Sequence, residues 1–153
     1  MMRKLLLGLL LCSVGFAASA DWKYTEKADE MRGTTQYFAS LAPEKENDGV
    51  SLVVKVESQN NKEAYDFHFE LSGGEFDCEL GKLCSGSIKF GSSEIKELLV
   101  EIDKKQQSSA SVIGAFNFAT GLSHANVFYI ELPVLGKGMV QFKYEPNKLK
   151  WLM

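Results

Sequence analysis

Histidine and serine are the side chains that could perform nucleophilic chemistry in this chain. The only imidazole bases are His68 and His124. A serine nucleophile needs such a base beside it and a carboxylate that orients the base. His68 lies between Asp66 and Glu70 in an alternating stretch, and His124 lies near the end of a short helical pattern. We therefore expect both histidines at solvated positions and predict no catalytic residues.

Paired carboxylates are the other candidate for hydrolytic chemistry. Asp29 with Glu30 and Asp66 with Glu70 are the nearest pairs, and a glycosidase would hold two carboxyl groups about 5 to 9.5 Å apart in a cleft. Acidic residues are common on the wet faces of strands, and nothing in the sequence marks a cleft. The chain also lacks a phosphate loop and the dense acidic spacing of a calcium loop. We predict a protein that is not an enzyme and that binds no metal or cofactor.

Two cysteines, Cys78 and Cys84, have five residues between them in the stretch CELGKLC. A zinc site would need about four ligands with paired spacing, and neither histidine is near. A redox pair usually has the tighter Cys-x-x-Cys form. The flanking stretches EFDC and CSGSIKF are typical of short strands, with Gly81 available for a turn. The sequence favours a structural disulfide that joins the two strands of a hairpin.

The first twenty residues have the pattern of a secretory signal peptide. A charged start at Arg3 and Lys4 is followed by an apolar run and by the small residues that end at Ala20. This predicts residues 1–20 as a signal peptide with cleavage between Ala20 and Asp21. Lipidation at Cys12 is the rival interpretation, but Leu11 before it is not the small residue that a lipidation site needs. The protein is expected in the periplasm.

The remaining residues 21–153 are expected to form one domain. Removing Arg3 and Lys4 from the 17 basic residues leaves 15 against 20 acidic residues, a formal charge of −5. This balance disfavours nucleic acid and anionic membranes as partners. No later stretch is long and apolar enough to cross a bilayer. The chain is long enough to bury a sizeable core.

Alternating apolar residues predict most of the secondary structure. Residues 50–56 and 65–71 each place their apolar side chains on one face, and SQNNKE between them is expected to be a polar hairpin loop. Further strands are predicted at 88–90, 97–103, 112–116, 127–132 and 139–144. One helix is predicted at 118–125, with Asn117 as its N-cap. The pattern indicates an all-β fold, an antiparallel β-sandwich of about seven or eight strands with one short helix and one hairpin disulfide.

The two ends of the mature chain carry a distinctive pairing of motifs. WKYTEKADEMRGTTQYFASL stands at the front and VQFKYEPNKLKW at the back. This pairing resembles a family of small exported proteins of Gram-negative bacteria without assigned function. It has a more distant likeness to TagO/VasI-type accessory proteins of type VI secretion and to invasion-associated locus B proteins. The matching residues are Trp22, Tyr24, Asp29, Met31, Arg32, Gly33, Thr34, Thr35, Ala39, Ser40, Phe142, Leu149, Lys150 and Trp151. The resemblance implies an exported β-rich domain and supplies no catalytic residues.

Four residues of these motifs are candidates for binding a partner: Trp22, Arg32, Thr34 and Trp151. Arg32 beside exposed threonines could receive a carboxylate or an edge strand. The structural interpretation, which we favour, has Met31 in the core, Gly33 in a bulge or tight bend, and Asp29 either paired with Arg32 or capping a turn. The two tryptophans are expected to cover the ends of the sandwich. The acidic loop LAPEKENDGV is a further candidate for the partner-facing element, because its composition indicates a solvated, mobile loop.

Two function classes follow from these observations. The first is a non-enzymatic binding module that engages another envelope protein. The second is an inhibitor or immunity protein against a cell-wall hydrolase or toxin, because an acidic protein captures a basic target rapidly. An accessory module should offer an apolar patch or a free sheet edge, whereas an inhibitor should project an acidic loop.

Overall fold

The computed structural model describes residues 21–59 and 65–152, so the predicted signal peptide and Cys12 lie outside the described residues. Alternation forms the strands as expected: Val54 and Phe69 are fully buried, whereas Lys55 and His68 face outward. The elements are β1 (Lys23–Asp29), β2 (Thr34–Leu41), β3 (Ser51–Gln59), β4 (Tyr65–Ser72), β5 (Leu83–Phe90), β6 (Lys96–Ile102), β7 (Ser109–Val112), α1 (Ala115–His124), β8 (Phe128–Val134), β9 (Gly138–Tyr144) and a 3-10 turn (Lys150–Leu152).

All nine strands belong to one antiparallel sheet in the order β1-β2-β3-β4-β7-β6-β5-β8-β9. The sheet curls on itself, which brings β9 close to β3 although the two are far apart in the strand order. The Tyr144 hydroxyl on β9 donates a hydrogen bond of 2.6 Å to the Leu52 carbonyl on β3. The predicted all-β class with one short helix and a disulfide is confirmed. The described residues contain nine strands, and these form one curled sheet instead of two separate sheets.

Helix α1 covers the concave side of this sheet. Phe118 places its ring among four aromatic rings of the core, with ring centroids 4.8 Å from Phe67 and 5.8 Å from Phe69. Phe90 and Phe128 complete the cluster. Burial of these rings orients the helix, since aromatic side chains each remove a large apolar area from water. The core is therefore one continuous cluster shared by the strands and the helix.

Two local predictions around α1 are wrong. The strand predicted at 112–116 ends at Val112, and the helix begins at Ala115. Gly114 explains both, because its φ of 79° is a left-handed conformation that terminates an extended strand and that glycine adopts at little cost. Gly114 also occupies the N-cap position predicted for Asn117, with no side-chain cap. The backbone N–H of Asn117 donates to the Gly114 carbonyl instead.

Two connecting segments also differ from expectation. The stretch EFDC forms no strand, and Phe76 makes only an isolated bridge to Val134 on β8. The acidic loop after β2 is solvated as predicted, but it is tied to β9: the Glu44 N–H donates to the Lys143 carbonyl at 3.0 Å and the Asn47 amide to the Gln141 carbonyl at 2.6 Å. The predicted hairpin loop between β3 and β4 lies partly outside the described residues. Ser58 and Gln59 belong to β3.

Candidate functional site

The turn between β1 and β2 holds Arg32 and Thr34, two of the residues predicted to bind a partner. Asp29 accepts hydrogen bonds from the Arg32 backbone N–H at 3.1 Å and from its guanidinium at 2.7 Å. Both bonds favour the charged carboxylate, so they hold the pKa of Asp29 below its usual value. Gly33 makes the bend with a φ of 62°. Thr34 pairs across the hairpin with Asp29.

Met31 lies at the tip of this turn with 83% of its surface exposed. The prediction that Met31 fills the core is wrong, because the tight turn directs the residue before Arg32 away from the sheet. The predicted Asp29–Arg32 pair and the bend at Gly33 are confirmed. The turn is therefore held by its own hydrogen bonds.

The two tryptophans take different positions. Trp22 is only 6% exposed and belongs to the core. Trp151 is half-buried and stacks on Tyr65, with centroids 6.4 Å apart and planes 11° apart. Its ring also meets Tyr24 and Tyr37 edge-on. Trp151 thus covers a group of three tyrosines on the concave face of the sheet.

The outward face of β4 carries the histidine and carboxylates considered for catalysis. His68 Nδ1 lies 3.1 Å from the Ser111 hydroxyl on β7. The sequence did not predict this serine–histidine contact, because the two residues are far apart along the chain. Glu70 forms an ion pair with Lys55 and does not orient the imidazole. Within the described part of the chain, no carboxylate hydrogen-bonds the His68 ring. The contact is a polar pair on an exposed sheet face without the third group that a catalytic triad requires.

His124 ends helix α1 and bonds to its own last turn. Its Nδ1 lies 2.8 Å from the Thr120 carbonyl and 2.8 Å from the Ser123 hydroxyl. Histidine near a helix C-terminus interacts favourably with the partial negative charge there. Among residues 21–59 and 65–152, no three histidine, cysteine or acidic side chains come together as a metal site.

The segment between β4 and β5, residues 73–82, crosses one end of the curled sheet; we call it the crossing segment. A disulfide joins Cys78 to Cys84 at the start of β5, with a Cα–Cα distance of 5.9 Å. The predicted pairing is confirmed, but only Cys84 lies on a strand. The disulfide therefore fastens the crossing segment to the sheet. Because Cys84 is 2% exposed, the bond anchors it to the core.

Two further sets of contacts hold the crossing segment. Gln107, from the loop before β7, donates its amide to the Phe76 carbonyl at 2.8 Å and also contacts the Cys78 carbonyl. On the other side, the Asp77 N–H donates to the Pro133 carbonyl at 3.0 Å, and the Leu135 N–H to the Glu75 carbonyl at 2.9 Å. The segment is bonded along both sides, so its outward side chains have a fixed arrangement.

The outward side chains of the crossing segment combine charge with apolar area. Glu75, Asp77 and Glu79 are exposed. Leu80 and Leu135 beside them are 47% and 57% exposed. We call these five residues the crossing surface. They line a shallow hollow, and Lys105 is the one basic residue of its lining among the described residues. Sequence reasoning found the disulfide but missed this surface, because Leu135 and Gln107 are distant along the chain.

Comparison with protein-family models, with curated protein sequences and with solved structures gives no match for this chain. In the described ranges, no helix is long and apolar enough to cross a membrane.

Proposed function

We propose that this chain is a non-enzymatic binding module of the periplasm and that another envelope protein docks on its crossing surface. The observation that carries the proposal is the exposure of Leu80 and Leu135 beside three carboxylates on a segment fastened by a disulfide. Rigid loops bind with a smaller loss of conformational entropy than mobile ones. Exposed apolar side chains with a polar border are typical of protein-interaction surfaces.

The proposed export rests on the pattern of residues 1–20 and is supported by the disulfide, since disulfides persist in oxidising compartments. Among the described residues no carboxylate orients the His68–Ser111 pair, which supports a role without catalysis.

Site-specific photocrosslinking in the producing cell tests the docking surface. A photoreactive amino acid at Leu80 should give one discrete adduct of higher mass, and the same probe at Met31 should not. Met31 is the matched control because it is also an exposed apolar residue on a turn. An adduct from Met31 but not from Leu80 would move the docking face to the β1–β2 turn and contradict the proposal.

The alternative function is inhibition of a cell-wall hydrolase or toxin, and the three carboxylates of the crossing surface favour it. A basic target would be captured through long-range attraction, which salt screens. If the crosslinked partner is a hydrolase, it should lose activity when the purified protein is added. Changing Glu75→Gln, Asp77→Asn and Glu79→Gln together should slow association without changing the melting temperature. Full activity of the hydrolase in the complex would exclude inhibition.

A further inference from the structure

A shallow hollow of about 320 Å³ lies on the outer face of three neighbouring strands, β5, β8 and β9. It shares no lining residue with the hollow of the crossing surface, so it is independent of the proposed protein-binding function. The inner face of the same strands belongs to the core, since Ile88, Ile130 and Phe142 are at most 6% exposed. Side chains alternate along a strand, so the residues next to these three face outward.

Tyr129 on the middle strand, β8, provides the aromatic ring of this hollow. It pairs across the sheet with Lys89 on β5 and with Lys143 on β9, and its side chain is half-buried. A tyrosine combines an apolar ring with a polar tip, so on an outer sheet face it can make both kinds of contact. Ile95, from the turn between β5 and β6, lines the same hollow and is 69% exposed. The hollow therefore has two accessible apolar side chains.

A row of three polar side chains runs beside the ring. Ser87 on β5 pairs with Glu131 on β8, and Glu131 pairs with Gln141 on β9, so the three share the outer face with Tyr129. Side chains directly opposite each other have Cβ atoms about 4.5 to 5.5 Å apart. None of the three side chains has a hydrogen bond or ion pair to another described residue. The row thus offers a hydroxyl, a carboxylate and an amide, which together donate and accept hydrogen bonds.

The charges of the described lining residues balance, because Lys89 and Glu131 have opposite signs. Lys143, which lies next to the hollow, is paired with Glu44 and Glu145. This balance favours a neutral ligand over an ion, and the polar row favours a ligand rich in hydroxyl groups over a lipid. A saccharide has this chemistry, since the C–H groups of a pyranose ring form an apolar face and its hydroxyl groups surround that face.

We propose that this hollow binds a β-1,4-linked glycan, with one pyranose ring stacked on Tyr129 and its hydroxyl groups bonded to Glu131 and Gln141. In a β-1,4-linked chain of gluco configuration the ring substituents are equatorial, so successive rings form a flat ribbon with apolar faces. A flat ribbon fits an open sheet face, where Ile95 provides the second apolar contact. The few precisely placed polar groups fix the orientation of the ring, as is usual for small-molecule sites. No bond is made or broken in the complex.

An NMR titration of the purified protein with cellohexaose and with chitohexaose tests this proposal. Both chains are β-1,4-linked, and chitohexaose also carries acetamido groups, so the pair distinguishes a plain glucan from an N-acetylated glycan. With at least one of them, amide signals of β8 and β9 should shift and saturate while those of β2 and β3 stay unchanged. Maltohexaose, whose α-1,4 links curve the chain, should bind at least several-fold more weakly. Saturable binding of neither β-linked chain would overturn the proposal, and so would equal binding of maltohexaose.

Two variants and one control locate the site. Tyr129→Val removes the aromatic ring but keeps a residue that favours strands, so it should abolish saturable binding while the circular dichroism spectrum is retained. Gln141→Ala, at an exposed position, should weaken binding about fivefold, the size expected for the loss of one hydrogen bond. Gln36→Ala is the matched control, because Gln36 lies on β2 opposite Glu57, far along the strand order from the hollow; it should leave binding unchanged. Unchanged binding in either Tyr129→Val or Gln141→Ala would overturn the assignment.

Discussion

At the scale of single residues, the β1–β2 turn shows what local sequence determines. Asp29, Arg32 and Gly33 lie within five positions, so their hydrogen bonds and the left-handed bend depend on local geometry that a motif can encode. The position of Met31 depends on where the turn directs it, and an apolar residue in a turn gives no local sign of that direction. The pair was therefore predictable, whereas the exposure of Met31 was not.

The Asp29–Arg32 pair predicts a pH effect with a definite sign. The pKa of Asp29 is lowered, so its pairing stabilises the folded state above the ordinary pKa, and the contribution is lost as pH falls through the lower folded value. A carbon-detected NMR titration should place the Asp29 midpoint below its ordinary value of 3.8. Arg32→Gln should raise that midpoint, because it removes the positive charge of the guanidinium. An unchanged midpoint in Arg32→Gln would show that Arg32 does not hold the carboxylate.

At the scale of elements, the alternation of apolar and polar residues was the reliable predictor of strands. The strands with one buried and one wet face, β3 and β4, and the β8–β9 pair were found from sequence. The prediction of a strand at EFDC was wrong because its residue types favour a strand, but no adjacent part of the chain pairs with it. Its partners, Gln107 and Pro133, come from other parts of the sequence. Short segments held by long-range contacts are where local patterns fail, and the crossing surface lies on such a segment.

The disulfide is expected to contribute modestly to stability and strongly to the order of the crossing segment. Changing Cys78→Ala together with Cys84→Ala should lower the free energy of unfolding by about 2 kcal/mol, since the closed loop is short. Hydrogen exchange should accelerate at residues 77–82 and remain slow in β3 and β4. Urea denaturation and exchange mass spectrometry measure the two effects.

Gln107→Ala is the comparison variant, because it removes the side-chain amide contacts to the Phe76 and Cys78 carbonyls and keeps the disulfide. It should accelerate exchange near Phe76 without a large change at Cys84. Complete unfolding of the double cysteine variant at room temperature would contradict the view that the disulfide is a local fastener.

At the scale of the whole molecule, the curl of the sheet depends on contacts between strands far apart in its order. The Tyr144 hydroxyl connects β9 to β3, and its ring stacks on Phe128 with a centroid distance of 4.6 Å. Burial raises the pKa of this phenol well above its usual value, so it stays a neutral donor. The alternating apolar residues indicated an all-β fold, but the contact between residues 92 positions apart could not be predicted from one sequence.

Tyr144→Phe tests how much this closure contributes. The change leaves a buried Leu52 carbonyl without its donor, so we expect a loss of about 1 to 2 kcal/mol in the free energy of unfolding. Tyr129→Phe is the control, since the Tyr129 hydroxyl has no hydrogen-bond partner in the described part of the protein; it should change stability by less than about 0.5 kcal/mol. Equal urea midpoints for the two variants would contradict the assigned role of Tyr144.

The hydrogen bonds from the loop after β2 to β9 make the two edges of the sheet unequal. The carbonyls of Gln141 and Lys143 on β9 are occupied by Asn47 and Glu44. No backbone hydrogen bond from the described residues reaches the outer side of β1 between Lys23 and Ala28. Growth of an assembly by strand addition needs two open edges on every subunit. Within the described residues β1 is the more accessible of the two edges, so strand pairing between two copies is expected to form at β1 and to join the copies as a pair.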